Sequence, residues 1–388
     1  MTAGRRCVLP NIGGAIDKRT EAVRSRSTAI RSKFDGRPLL LTTPGSVNWI
    51  TGGLSDPIDL TASTDAIWVV ETDRDRTLVT NEIEEPRIRD EFDLDALGWS
   101  LVAVPWFDAH ARVAAAENIA GIKIGGFISD RCDLGTSATA AIVAERMVLT
   151  HPEQEAIRAL GSLVGRALGA GIDEWKPGVS TDFDVAAAIT SELESRGAHA
   201  VCLIAGGDER LRRFRHPLAA GSVISEAIMA VVVARAGGLH AAATRIAVVR
   251  DDDPILCMVE KIATVDDIML EASRPRGTWG DAFDALARSY DVIGRPGAWR
   301  EHFQGGPIAY EQREFELTPG QSSSPFWDVP RSVGTAVAWN PSIAGGAKIE
   351  ETQLVNADGF ELLTRTDGWP MADAAGGTTQ RSRVKVIA

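Results

Sequence analysis

The amino-acid sequence predicts a mixed α/β chain with two domains, a small mixed α/β domain followed by a larger α+β domain. The length of 388 residues, at ~150 residues per domain, makes two or three domains the expectation. Strands and helices alternate through the first third, and a helix-capping signal stands near residue 150. We therefore place the domains at 1–149 and 150–365. Residues 366–388, with little apolar surface to bury, are predicted to be a mobile tail.

The first domain begins with a helix. Residues 15–35 are rich in Arg, Ser and Ala and predict a helix that ends near Gly36. Short apolar runs predict strands, and the polar turn from Thr72 to Asp75 between two of these runs is a hairpin signal. The predicted strands are 38–42, 66–70, 76–80, 101–104 and 122–128, and a helix follows at 138–146.

The second domain opens on a capping box. Thr150 and Glu153 can exchange hydrogen bonds with each other's backbone, and Pro152 lies in the first helical turn. The amphipathic helix that follows extends to about Leu168. The other predicted elements are helices at 181–196 and 281–290 and strands at 200–205, 222–233, 246–249, 336–339, 348–355 and 361–364.

Composition narrows the function classes. A formal net charge of −12 argues against nucleic acid or an anionic membrane as a partner, because both attract positive surfaces. The four cysteines are far apart and form no CxxC pair, which is typical of reduced thiols rather than of a disulfide framework. No signal-peptide pattern or membrane-length apolar stretch is present in the sequence. The expectation is a cytoplasmic protein.

Several segments carry a resemblance to a known family. They are LTTPGSVNWITGG (41–53), RHPLAAGS (215–222), GLHAAATR (238–245), HFQGGPIAYEQRE (302–314), WNPSI (339–343) and KIEETQLVNADGFELLT (348–364). In this order they resemble the successive motifs of the creatinase/aminopeptidase P/methionine aminopeptidase (M24) family. The resemblance covers roughly residues 38–365 and implies a pita-bread fold for the second domain.

The resemblance also implies where metal ligands would stand. Peptidases of the family hold two divalent ions with two Asp, one His and two Glu. Matched by motif, these positions fall on Val231, Ala242, Gly306, Asn340 and Glu350. Two divalent ions bring four positive charges, and one carboxylate cannot offset them or replace the lost hydration. The expectation is therefore no metal and no other cofactor.

Candidate catalytic residues are the side chains left around these positions. His216 matches the histidine that serves as acid and base in creatinase, Glu350 matches a substrate-binding carboxylate, and His240 lies two residues before Ala242. Each has a structural alternative: His216 in a surface turn, His240 satisfied by backbone in the core, and Glu350 paired with Arg245 across the sheet. The candidate substrate-binding residues are His302, Arg313, Asn340 and Trp339.

The function expected from these residues is a metal-independent, creatinase-like hydrolase or related lyase that acts on a C–N bond of a small polar substrate. Histidine is suited to this role because its ordinary pKa lies near neutrality. The alternatives are a catalytically silent homologue that binds a ligand or partner and, least favoured, a metal-dependent Xaa-Pro peptidase. The resemblance further implies a homodimer.

Overall fold

The computed structural model describes residues 15–54 and 58–387. The chain divides into two compact units. Of the described residues, unit one comprises 15–54, 58–146, Thr150–Glu153 and Gly237–Leu239, and unit two comprises Met147–Leu149, Gln154–Ala236 and 240–387.

Helices and strands alternate along the chain, so the predicted mixed α/β class is confirmed. The helices are α1 (Ile16–Ser32), α2 (Pro44–Thr51), α3 (Glu85–Glu91), α4 (Leu94–Leu97), α5 (Ala111–Ala120), α6 (Thr139–Arg146), α7 (His151–Glu174), α8 (Asp182–Glu194), α9 (Asp208–Arg213), α10 (Pro254–Ala272) and α11 (Trp279–Val292). The strands of unit one are β1 (Leu39–Leu41), β2 (Trp68–Glu71), β3 (Arg76–Asn81), β4 (Ser100–Val104), β5 (Phe127–Ser129) and β6 (Gly135–Ser137). The strands that follow are β7 (His199–Gly207), β8 (Ala227–Ala236), β9 (Leu239–Val248), β10 (Gly305–Pro307), β11 (Ala336–Trp339), β12 (Ser342–Ile343), β13 (Ala347–Lys348), β14 (Glu351–Val355), β15 (Phe360–Leu362), β16 (Met371–Ala374), β17 (Thr379–Ser382) and β18 (Lys385–Val386).

Unit one is built on a six-stranded mixed sheet in the order β4-β3-β2-β1-β5-β6. The predicted hairpin is confirmed: β2 and β3 pair antiparallel, with Trp68 opposite Val79. The apolar runs form strands because their side chains are buried together, as Leu40, Val70 and Phe127 are in one cluster beneath α5. The predicted strand at 122–128 contracts to Phe127–Ser129.

Unit two contains two four-stranded sheets, in the orders β18-β9-β8-β7 and β10-β11-β14-β15. Every residue of β8 and β9 is buried, which explains their nearly continuous apolar sequence. Strands β7 and β8 pair antiparallel through eight residue pairs, from His199 opposite Arg235 to Gly207 opposite Ile228, with a bulge between Ala200 and Cys202. Side chains of both strands contribute to the wall of the candidate site.

Helix starts from residue 150 onward follow local capping chemistry. The carboxylate of Glu153 accepts hydrogen bonds from the backbone and hydroxyl of Thr150, each at 2.6 Å, and Thr181 opens α8 in a complete capping box. Helix α10 is absent from the sequence-based prediction, although Asp253 caps it and Pro254 begins it. Within the described part of the chain, no helix is long and apolar enough to cross a membrane.

The prediction of a mobile tail at 366–388 is wrong. Strands β16 and β17 pair antiparallel, and β18 pairs in parallel with β9. Arg381 on β17 is buried and donates to the Ala263 carbonyl oxygen at 2.7 Å and to the Asp266 carboxylate at 2.9 Å. Few apolar residues are needed here, because backbone pairing and this arginine attach the segment to α10.

Candidate functional site

A cavity of about 310 Å³ lies in unit two, and strands β7, β8, β9, β11 and β13 contribute to its walls. Four of the five positions matched to metal ligands line it: Val231, Ala242, Asn340 and Glu350. The motif match therefore predicted correctly that these four positions, which are distant in the sequence, lie at one site. We call this space the Lys348 cavity, after the lysine that also lines it.

Glu350 is held in this cavity by three donors. The Lys348 ammonium lies 3.2 Å from one of its carboxylate oxygens, and the Thr244 hydroxyl donates to the same oxygen at 2.9 Å. The Asn340 amide donates to the other oxygen at 3.4 Å. Lys348 and Glu350 are only 6% and 5% exposed, so the ion pair is almost fully removed from water. Breaking such a pair leaves a buried charge without compensation.

The predicted alternative for Glu350, an ion pair with Arg245, is wrong. Arg245 pairs with the next residue, Glu351, at 3.0 Å, and both side chains are buried. Successive strand residues point to opposite faces, so Glu351 turns toward Arg245 while Glu350 turns toward the cavity. Glu350 is thus a cavity residue and Glu351 is the structural carboxylate.

The residues at the cavity do not fit a dinuclear metal site. Its one carboxylate is already neutralised by Lys348, whose ammonium would repel a cation. At Gly306 the backbone φ is +138°, and an added Cβ would lie 3.3 Å from the Phe283 ring, so a histidine there would strain the backbone and displace that ring slightly. In residues 15–54 and 58–387, no group of three or more His, Cys, Asp and Glu side chains could hold a metal ion. Hard divalent ions need several oxygen ligands.

His216 and His302 were both predicted to lie at the site, but their direct contact was not predicted. Their Nε2 atoms are 3.0 Å apart, and the rings meet edge to face with centroids 5.0 Å apart. His216 lines the Lys348 cavity, and His302 lies beside it in the loop that precedes β10. The two imidazoles therefore act as one hydrogen-bonded pair.

Both imidazoles are held neutral. Burial, then the positive charge of Lys348, lowers the pKa of His302 to about 3, and the same causes lower the pKa of His216. The Nδ1 of His302 is hydrogen-bonded to the Phe303 carbonyl oxygen, which can only accept, so this nitrogen carries the proton. The Nε2 of His302 must then accept from His216, which leaves the Nδ1 of His216 as an acceptor.

The structure does not bring His240 and Trp339 to the cavity. His240 shares the strand face of Ala242, but two residues along a strand span ~7 Å, and its Nδ1 lies 3.3 Å from the Ala309 carbonyl oxygen. Trp339 is 1% exposed, and its indole nitrogen donates to the Ser273 hydroxyl at 2.8 Å. Alternation on β11 turns Trp339 away from the face that Ala338 and Asn340 share. His240 and Trp339 are therefore core residues. The predicted catalytic role of His240 and the predicted substrate-binding role of Trp339 are not supported.

Arg313 and Asn340 do line the cavity. The Arg313 guanidinium lies 3.3 Å from the Glu316 carboxylate and 4.9 Å from the centroid of the Phe303 ring. The carbonyl oxygen of the Asn340 side chain is buried and has no hydrogen-bond partner in the described structure. A buried acceptor without a donor is unfavourable, and a ligand N–H would satisfy it.

Sequence reasoning missed Lys348 and Cys202. Lys348 stands two residues before Glu350, a spacing that places both on one face of a strand and could have revealed it. Cys202 lies on β7, where burial, followed by the charge of Glu350, raises the pKa of its thiol. The charged lining is thus Lys348 and Arg313 against Glu350, with Cys202 neutral. This balance favours an anionic ligand group.

The fold of this chain is similar to the folds of several proteins of known structure. No family model and no curated protein matches the chain. The dipeptidase PepE from Mycobacterium ulcerans superposes with a TM-score of 0.68 at 17% identity over 96% of this chain and 98% of its own. The prolidase from Pyrococcus furiosus gives 0.62 at 16% over 88% and 99%, respectively. The N-terminal domain of the FACT complex subunit SPT16 from Cicer arietinum gives 0.62 at 12% over 94% and 98%.

These comparisons correct the expected function. Prolidases, a dipeptidase and an X-Pro aminopeptidase from Thermotoga maritima are among the similar structures, so the comparison points to peptidases. The expectation of a creatinase-like hydrolase or lyase is therefore wrong. At these identities the shared property is the fold. The chain has the pita-bread fold of the creatinase/aminopeptidase P/methionine aminopeptidase family.

Proposed function

We propose that the protein recognises a small peptide, of about dipeptide size and with a free carboxylate, in the Lys348 cavity. The observation that carries this proposal is the buried ammonium of Lys348 at the cavity wall. Its only acceptor among the described residues is Glu350, so two of its three N–H donors are available to a ligand. A carboxylate is the group best matched to these donors.

Charge supports the same ligand class. The lining carries two cationic side chains, Lys348 and Arg313, and one carboxylate, Glu350. A metal-binding cavity has the opposite balance, because its carboxylates must outweigh bound cations. Because Arg313 is paired with Glu316 outside the lining, the donors that favour a ligand anion are mainly those of Lys348, and the low dielectric of a buried site strengthens that attraction.

A peptide also supplies the donor that the cavity lacks. The buried side-chain oxygen of Asn340 has no partner in the described structure, and a backbone N–H or terminal ammonium of a peptide can donate to it. The volume of about 310 Å³ lies at the small end of ligand pockets, which range over ~300–1,000 Å³. The apolar walls, including Val231 and Ala242, suit a proline ring or small side chain.

Isothermal titration calorimetry with Ala-Pro and Ala-Pro-amide tests this function. We expect Ala-Pro to bind and the amide, which lacks the carboxylate, to bind at least tenfold more weakly. The Lys348→Met/Glu350→Gln variant removes both charges together and should lose the preference, whereas exposed Lys123→Met should keep it. Equal binding of the peptide and its amide by the wild type would refute the proposal.

Hydrolysis of the bound peptide is the second candidate. It is favoured by the near full-length similarity to PepE and to the Pyrococcus furiosus prolidase. Incubation of Ala-Pro with purified protein, with and without added Mn²⁺, followed by chromatography of free proline, measures it directly. Release of proline by the wild type but not by Lys348→Met/Glu350→Gln supports hydrolysis in this cavity. Intact dipeptide after prolonged incubation under both conditions rejects it.

A further inference from the structure

A second, larger cavity of about 580 Å³ lies beside the first. We call it the aromatic cavity, because its lining includes Trp299 and Phe303 together with Leu286, Leu317 and Pro319. His216 lines both this cavity and the Lys348 cavity. The two spaces therefore adjoin at His216.

Two side-chain contacts join residues of the two cavities, and we infer that they partition the space between them. The first is the hydrogen bond between His216 and His302, and the second is the packing of the Arg313 guanidinium against the Phe303 ring. His302 and Phe303 face the aromatic cavity, whereas Arg313 faces the Lys348 cavity. A partition of side chains can open by rotamer changes, which are far less costly than moving a strand.

Three of the four charged residues that line the aromatic cavity, Arg215, Glu301 and Glu316, form ion pairs. Arg215 forms an ion pair with Glu301, and Glu316 pairs with Arg313. The Arg300 guanidinium stacks on the Trp299 ring, 4.5 Å from its centroid. Once these pairs are formed, the aromatic and aliphatic surfaces are the main groups left for a ligand. Phe303 lines this cavity and is 58% exposed, so much of its ring is open to a ligand.

We propose that the aromatic cavity binds a bulky apolar residue of the same peptide whose carboxylate lies at Lys348. This inference rests on the proposed function and names its ligand class more closely: a tripeptide with an aromatic residue at its N-terminus. The carboxylate fixes the C-terminal residue in the Lys348 cavity, so the chain extends past His216 in the N-terminal direction. The aromatic side chain then packs against Trp299 and Phe303.

Calorimetric titration of Phe-Ala-Pro, Gly-Ala-Pro and Ala-Pro separates this inference from the proposed function. Burying a phenylalanine side chain changes affinity by roughly tenfold or more, so Phe-Ala-Pro should bind about that much more tightly than Gly-Ala-Pro. Phe303→Ser should remove the difference, and the ratio of the two tripeptide affinities is the readout because loss of the Arg313 contact also alters Ala-Pro binding. Phe107→Ser, a similarly exposed phenylalanine in unit one, is the matched control and should preserve the difference.

The outcomes distinguish a failure of this inference from a failure of the proposed function. If Ala-Pro binds but the two tripeptides bind equally, the aromatic cavity is not a peptide subsite and the inference falls while the proposed function stands. If Phe-Ala-Pro is preferred and Phe303→Ser keeps the preference, the aromatic residue binds elsewhere and the inference also falls. If none of the three peptides binds, the proposed function fails and takes the inference with it.

Discussion

The ammonium of Lys348 lies 3.2 Å from the carboxylate of Glu350, and both side chains are almost wholly buried. Glu350 is the one position at which this chain keeps a side chain expected of a metal ligand. A fixed organic cation therefore neutralises a carboxylate that the family resemblance assigns to metal binding. The cavity therefore favours an anion, whereas a metal site favours a cation. The first two predictions below depend on this ion pair.

Removing only one partner of this pair should destabilise the protein. Lys348→Met leaves Glu350 buried and uncompensated, so we expect the free energy of unfolding to fall by about 3 kcal/mol or more. The double variant Lys348→Met/Glu350→Gln should recover most of the loss. Guanidinium-induced unfolding, followed by circular dichroism, measures both. A single variant as stable as the wild type would show that the pair is not formed.

Divalent metals should bind this protein only weakly. The Lys348 ammonium and the apolar side chains of Val231 and Ala242 offer no ligands, and Glu350 is already paired. Protein dialysed against EDTA and titrated with Mn²⁺ or Zn²⁺ should show no tight, saturable heat. Two tightly bound equivalents per chain would contradict this account of the cavity.

The imidazole pair should make stability depend on pH. The pKa of His302 is lowered from 6.5 to about 3, and that of His216 is also lowered, so the unfolded chain takes up protons first as pH falls. Their contribution is present above pH 6.5 and is lost as the pH falls toward 3. The pKa of Asp266, raised to about 7 by burial, acts in the opposite direction over part of this range.

A His216→Gln/His302→Gln variant isolates the histidine contribution, because Asp266 is unchanged in it. We expect the free energy of unfolding of the wild type to fall more steeply than that of the variant between pH 6.5 and pH 4. Urea unfolding at a series of pH values provides the measurement. Parallel curves would mean that the two imidazoles titrate alike in the folded and unfolded chains.

Arg381 should be a main attachment of the C-terminal segment. Its side chain is 5% exposed and bonds to α10 through the Ala263 carbonyl oxygen and the carboxylates of Asp266 and Asp267. Arg381→Ala should cost about 3 kcal/mol because it leaves Asp266 buried without its cation. Exposed Arg383→Ala, which loses only a surface pair with Glu260, should cost less than about 1 kcal/mol. Thermal unfolding of both variants checks the difference, and equal effects would contradict it.

Local signals in the sequence predicted much of the fold. The hairpin turn, the capping chemistry at Thr150 and Thr181 and the apolar strands all appear in the structure, because each depends on neighbouring residues. The motif order also brought Val231 and Glu350 to one cavity. Helix α10 was missed although Asp253 and Pro254 signal its start, since its many β-branched residues obscure the helical pattern.

Side-chain partners across the fold were harder to predict. The contact between His216 and His302 joins residues 86 positions apart, and no local pattern reports it. The choice of Glu351 over Glu350 by Arg245 depends on which strand face meets the arginine, a one-residue difference that the sequence does not resolve. The C-terminal strands were missed because pairing and Arg381, rather than apolar residues, hold them in place.

Alkylation of Cys202 tests most directly whether the Lys348 cavity is the ligand site. Cys202 lines this cavity, whereas Cys132 and Cys257 are exposed and lie outside its lining, so they serve as internal controls. Peptide mapping after timed reaction with N-ethylmaleimide gives a rate for each thiol, with and without Ala-Pro. We predict that Ala-Pro slows the reaction at Cys202 and leaves Cys132 and Cys257 unchanged. An unchanged rate at Cys202 under an excess of Ala-Pro would contradict the account.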